Sequence, residues 1–216
     1  MRYALVLIGP SGVGKTSVAN CLLAGDHGFS LVHSGTTRPK RGDGNDGEYI
    51  YYTRDEFLAK IERGEVLEHT EFGGNLYGTP VDEVNQFFAE GKTPLLVLDM
   101  NGAESLYNGK FDFKPVIFYI YEDIKVIEER LVKRETENPS GKGMEALYRR
   151  LELNKRDYRH LRDVKHIFDA YIKNTSLVGA AKEALDTFIN IKNGKLPDRA
   201  ESDRIAISLA DSVDAN

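Results

Sequence analysis

The chain reads as an α/β protein built on a doubly wound parallel sheet, and three observations predict that class. Apolar runs of strand length alternate with helical patterns along most of its 216 residues. Two of the runs, residues 94–100 and 114–121, are apolar almost throughout, as strands covered on both faces by crossover helices must be. The first run, residues 3–8, passes through a glycine-rich loop directly into a helical pattern with Val18, Leu22 and Leu23 as its apolar positions.

That loop is Gly9-Pro10-Ser11-Gly12-Val13-Gly14-Lys15-Thr16, a full match to G-x-x-x-x-G-K-[ST], with Ser17 continuing into the helix. Its glycines let the backbone wrap phosphate oxygens and aim N–H groups inward, and the helix opening at Lys15 adds the positive end of its dipole. Lys15 suits the β- and γ-phosphates of a nucleoside triphosphate, and the Thr16 hydroxyl suits a magnesium ion.

The remaining elements follow in order. Residues 29–33 read as a second strand. Residues 34–47 are turn-rich and carry the basic cluster Arg38, Lys40 and Arg41. Residues 48–53 resume strand character, and 54–63 form a helix with Phe57, Leu58 and Ile61 as its stripe, stopped by Gly64. Residues 65–72 alternate like a strand, Gly73-Gly74-Asn75 turns, and 80–90 form a helix closed by Gly91. Helices are expected near 103–107 and over 122–134, then a polar loop over 135–143. A long helix over 144–162, a last strand over 167–172 and a last helix over 177–191 complete the pattern.

Residues 1–33 and 93–192 therefore form the expected core, and the tyrosine-rich segment 34–92 breaks the alternation as an inserted lobe. Residues 193–216 are mostly polar. Ile205, Leu209 and Val213 stand four apart and suit a short docked helix, but the composition favours a flexible tail.

A formal net charge of -5 argues against a general nucleic-acid binder. The one cysteine, Cys21, cannot form an internal disulfide and reads as a small buried residue. No apolar run reaches membrane length, and Met1-Arg2-Tyr3 enters a strand without a signal peptide. The expectation is a soluble cytoplasmic protein with neither nucleic acid nor membrane as partner.

Beyond the phosphate loop, the chain carries Ser34-Gly35-Thr36-Thr37-Arg38-Pro39-Lys40-Arg41, then Leu67-Glu68, then Asn75-Leu76-Tyr77-Gly78-Thr79. Asp99 near the end of an apolar run and an arginine-rich stretch with Arg130, Arg134 and Arg150 follow. In this combination the chain resembles the guanylate kinase family of nucleoside monophosphate kinases, over residues 3–191. The resemblance implies a P-loop core with an inserted GMP-binding lobe and a helical lid over about 135–150. It implies transfer of the γ-phosphoryl group of MgATP to GMP, and to dGMP, in purine nucleotide metabolism, by a monomer or homodimer.

On that resemblance Gly9 to Ser17 hold ATP, and Asn174 lies near the adenine. Arg38 and Arg41 hold the acceptor phosphate, joined by the hydroxyls of Tyr49 and Tyr77; two guanidinium forks three residues apart can converge on one phosphate. The interval before Tyr49 is one residue short and has Asp43 where a glutamate is usual, which leaves Tyr51 and Tyr52 as alternatives. Base choice rests on Glu68, Ser34 and Thr79, and Gly78 and Asp99 also belong to the GMP site. A carboxylate can accept the N1–H and N2–H of guanine together, and such sites discriminate by on the order of 10⁴. Asp99 acts on the magnesium shell through water or positions Lys15, and Arg130, Arg134 and Arg150 close over the nucleotides. Val97 stands where the family often has a second acid, and Glu135 where a glycine is common. A non-catalytic interaction module of the same type, or a related kinase with an acceptor such as ribose bisphosphate, are the alternative readings.

Overall fold

The computed structural model describes residues 1–40, 49–137 and 143–214. The chain opens with β1 (Arg2–Ile8), the glycine loop, α1 (Lys15–Ala24) and β2 (Phe29–Leu31). Then come β3 (Ser34–Thr36), β4 (Tyr49–Tyr51), α2 (Arg54–Glu62), β5 (Val66–Phe72), β6 (Asn75–Pro80) and α3 (Val81–Ala89). Strand–helix alternation resumes with β7 (Thr93–Val97), α4 (Met100–Asn108), β8 (Phe113–Tyr121), α5 (Ile124–Glu137) and α6 (Gly143–Val164). A 3₁₀ turn at Lys165–Ile167, β9 (Ala170–Lys173), α7 (Leu177–Lys192) and α8 (Arg199–Ser212) complete the chain.

The central sheet has five strands in the order β2-β7-β1-β8-β9, each neighbouring pair parallel. Leu5 of β1 stands between Leu95 of β7 and Val116 of β8, and all three are buried, which is why these strands read as unbroken apolar runs. The phosphate loop leaves the C-terminal end of β1, Asp99 follows β7, Glu122 follows β8 and Asn174 follows β9. These polar residues thus collect along one edge of the sheet, where parallel α/β sheets bind ligands.

A second, mixed sheet runs β4-β3-β6-β5. Two of its strands lie where the sequence reads as loop and turn. β3 is only three residues long, and β6 contains Gly78 and ends in Pro80, so neither shows the alternation that marks a strand. Both form through pairing across the sheet, with each other (Gly35 opposite Gly78 and Thr36 opposite Tyr77) and with β4 and β5 on their other sides. The expected strand over 94–100 stops at Val97, because Asp99 turns to cap α4, its Oδ1 accepting from the Gly102 N–H at 2.9 Å.

The segment after Asn193 departs from the flexible tail that its composition predicts. Residues 199–212 form α8, started by Asp198, which accepts from the Ala200 N–H at 2.8 Å. Ala206, Leu209, Ala210 and Val213 are buried, and the small residues let the helix lie close against α6. Arg159 and Arg162 of α6 pin its end, reaching Asp214 at 2.9 and 2.7 Å and Asp211 at 2.7 Å. The stripe of Ile205, Leu209 and Val213 decides the outcome over the polar residues around it. Leu209→Ala should therefore lower the free energy of unfolding by about 2–4 kcal/mol; a urea midpoint equal to wild type would show that α8 is not docked in solution.

Candidate active site

The phosphate loop is shaped by its own glycines and then held from behind. Gly14 caps α1 with φ +100°, and a Cβ there would lie 2.5 Å from Asn174 Nδ2, so both backbone angle and space require glycine. Asn174, expected near an adenine, is 6 % exposed and donates from Nδ2 to the Val13 carbonyl at 2.7 Å. Arg130, expected as a lid residue, donates to the Val13 carbonyl at 3.4 Å and to the Asn174 carbonyl at 3.1 Å. Buried Glu122 lies 4.0 Å from the Arg130 guanidinium and 3.6 Å from Lys173 Nζ.

In front of the loop is a cleft of about 360 Å³. Ser11, Gly12 and Gly14 line it from the loop, Lys15, Thr16 and Ser17 from α1, and Arg130 and Arg134 from α5. Lys15 Nζ donates to the Gly9 and Pro10 carbonyls at 2.6 and 3.1 Å. Burial pushes its pKa down to about 8, while the carboxylates of Asp157 and Asp99 oppose that fall. Lys15 is therefore mainly an ammonium at neutral pH. Asp157, on α6, is itself pushed upward by burial, with Arg156 and Lys15 acting in the opposite direction.

A second cleft of about 350 Å³ lies between the mixed sheet and the end of β7. It gathers Ser34, Tyr49, Glu68, Tyr77, Gly78 and Asp99, together with Thr70, which the sequence did not single out. Glu68 is only 7 % exposed, and its Oε1 accepts the Thr79 hydroxyl at 2.7 Å. Burial pushes its pKa up to about 7, against the Thr79 hydrogen bonds and with the help of the Asp99 charge. Gly102 makes room for it: a Cβ on that residue would sit 3.2 Å from Glu68 Oε2.

Arg38 is 8 % exposed, a degree of burial that a guanidinium tolerates only with partners. It donates to the Tyr51 hydroxyl at 3.1 Å and lies 5.4 Å from the centre of the Tyr49 ring, which meets Tyr77 edge-on at 6.2 Å. Tyr52 packs instead against Phe57 and Lys60. Arg41 falls outside the described residues. Arg150 is half-buried on α6, one helical turn before Asn154.

Asn154 and Asp157 escaped the sequence reading, yet both bear on the loop. Asn154 Oδ1 accepts the Ser11 N–H at 2.8 Å, and its Nδ2 donates to the Ser11 carbonyl at 2.9 Å. A signal was present: Leu147, Leu151, Tyr158 and Leu161 form the apolar stripe of that helix, and Asn154 interrupts it with an amide.

A phosphate loop together with a second cleft whose Asp99 acts electrostatically on Lys15 suits a phosphotransferase, with donor and acceptor in separate clefts. Comparison with known proteins narrows that class. A family model described as guanylate kinase matches residues 1–191. The guanylate kinase of Streptococcus agalactiae serotype III (strain NEM316) is 37 % identical over 161 residues, 74 % of each chain. That of Sus scrofa is 35 % identical over 189 residues, covering 84 % of this chain and 90 % of the other. A crystal structure of guanylate kinase from Anaplasma phagocytophilum superposes with a TM-score of 0.60 at 26 % identity, covering 91 % of this chain and 87 % of that one. The chain belongs to the guanylate kinase family.

The raised pKa of Glu68 has a consequence for stability. Between the ordinary 4.5 and about 7 the unfolded chain is the more ionised, so stability falls as pH rises through that window. The loss reaches about 3 kcal/mol, because each pH unit between the two values is worth about 1.4 kcal/mol. Glu68→Gln, which keeps an acceptor for Thr79, should unfold at a higher urea concentration than wild type at pH 8 and lose its advantage near pH 4.5. Equal midpoints at pH 8 would refute the burial cost.

Proposed function

We propose that this protein is an ATP-dependent guanylate kinase that converts GMP, and dGMP, to the diphosphates in purine nucleotide metabolism. The observation that carries the reading is Glu68, a buried carboxylate on the wall of the acceptor pocket, with Ser34 and Thr79 hydroxyls in the same lobe. Ionised, it accepts the N1–H and N2–H of guanine; adenine has a bare N1 there and would leave the carboxylate buried without a donor. Arg38, Arg41, Tyr49 and Tyr77 hold the acceptor phosphate, and residues 34–92 move as the acceptor lobe.

ATP lies with its phosphates on Gly9 to Ser17, and Asn174 acts by holding the loop on which they rest. The attacking phosphate oxygen is already anionic, so no protein base is needed, and the work of the site is positioning and charge stabilisation. Lys15 sits at the β- and γ-phosphates. Arg130, Arg134 and Arg150, with the lid over about 135–150, neutralise charge on the moving phosphoryl group and exclude water.

Mg2+ suits the oxygen donors present. Thr16 lies on the cleft wall, and the exposed Asp99 accepts its cap bond at Oδ1, so its other carboxylate oxygen suits a water-mediated contact. Bound with ATP, the ion would neutralise phosphate charge. No helix among the described residues is long and apolar enough to cross a membrane. We place the enzyme in the cytoplasm as a monomer or homodimer.

ADP formation from MgATP should require GMP or dGMP and should stay near the no-acceptor background with AMP, CMP, UMP or ribose bisphosphate. Lys15→Ala should lower kcat by on the order of 10²–10³. Turnover with AMP equal to that with GMP would overturn the base reading, and full activity in the lysine variant would overturn the mechanism. The KM for GMP should also fall as pH rises from 6 to 8, because guanine needs the ionised Glu68. Glu68→Gln should show a KM raised by about 10²-fold or more and should lack the part of that pH dependence not due to the GMP phosphate.

A further inference from the structure

The loop that would carry the ATP phosphates has few side chains with which to hold itself in place. Ser11 lies in its middle, and both polar groups of that residue's backbone are taken by one side chain 143 residues further along. Asn154 accepts the Ser11 N–H at 2.8 Å and donates to the Ser11 carbonyl at 2.9 Å, and it is 1 % exposed. An amide is the neutral side chain that offers one acceptor and one donor side by side, the complement of a peptide edge. Burying it is favourable only with both bonds made.

The helix that carries Asn154 is anchored independently of this contact. Tyr158 is fully buried, and its hydroxyl donates to the Glu122 carbonyl at 2.5 Å; Leu161 is buried beside it, and Arg159 and Arg162 grip α8. The Asn154 bonds are therefore not what secures α6. They secure the loop to α6. The same helix carries Arg150 one turn earlier and Asp157 nearly one turn later, within electrostatic reach of Lys15. Four residues of helix span about 6 Å, so fixing Ser11 to Asn154 also fixes the height of Arg150 relative to the loop.

We propose that Asn154 is a positioning residue for phosphoryl transfer: its pairing with Ser11 sets the phosphate loop in its binding shape and holds it in register with Arg150. The proposal rests on the guanylate kinase reading and adds to it a residue that acts through the loop, touching neither nucleotide. Its loss leaves the Ser11 N–H and carbonyl without their partner, and the loop relaxes to find others.

The test uses the full chain, with wild type, Asn154→Ala and Asn154→Asp compared between pH 5.5 and 8.5. In Asn154→Ala, kcat should fall about 10- to 100-fold, the scale set by misplacement of about 1 Å at a reacting centre. The KM for ATP should rise while the KM for GMP stays within about twofold, since the acceptor contacts belong to the other lobe. Asn154→Asp supplies the readout that a merely structural role would not move. The protonated acid presents one donor and one acceptor, as the amide does, whereas the carboxylate presents acceptors only and repels the Ser11 carbonyl. The ratio of its kcat to that of wild type should therefore climb as pH falls, along a limb that wild type lacks.

Wild-type kcat and KM for ATP in Asn154→Ala would overturn the proposal. So would an Asn154→Asp variant whose activity ratio is flat with pH, or equal rises in both KM values alongside a lowered melting temperature. Should the alanine variant fail to fold, the pH profile of the aspartate variant decides. Should wild type fail to phosphorylate GMP, the proposed function falls by itself, and the affinity of the variants for ATP, read by displacement of a fluorescent analogue, still decides whether Asn154 sets the loop.

Discussion

A phosphate-binding loop must hold its N–H groups aimed at one small volume, and the glycines that permit such a shape also make it costly to keep. Here the cost is met from outside the loop. Asn174 and Arg130 hold the Val13 carbonyl, and Asn154 holds Ser11 from both sides. These three residues come from the end of β9, from α5 and from α6, so the loop is fixed only when the central sheet and both helices are assembled. The donor site is in this sense a product of the whole core.

The second cleft is set by a different balance. Glu68 is buried where its charge is unwelcome, with Thr79 as its hydrogen-bond donor and Asp99 close enough to push it further towards neutrality. The free protein gives up stability near neutral pH to keep that carboxylate in place. On the proposed reading, a ligand offering two N–H groups to the carboxylate would recover what burial removes, and a ligand without them would not.

The end of the chain belongs to the same construction. α8 lies beyond the residues matched by the family model and packs on α6, the helix that carries Arg150, Asn154 and Asp157. Its buried stripe and the Arg159 and Arg162 contacts to Asp211 and Asp214 steady α6.

Local physics made much of this protein legible in its sequence. The strand, glycine loop and helix of residues 2–24 and the long apolar strands are written in neighbouring residues, and the structure shows each of them. That Ser34, Glu68, Tyr77 and Asp99 share one cleft is what the family resemblance of their motifs implies, and their spacing alone does not show it. What the sequence could not convey depends on pairing across distance. β3 and β6 are strands because neighbouring strands pair with them, Asn154 matters because Ser11 lies opposite it, and α8 is ordered because α6 offers it a surface. Composition and periodicity report the forces that act along the chain. Only the tertiary structure decides which polar group, 143 residues away in the case of Ser11 and Asn154, satisfies which other, because a hydrogen bond is set by proximity in space and not by order in sequence.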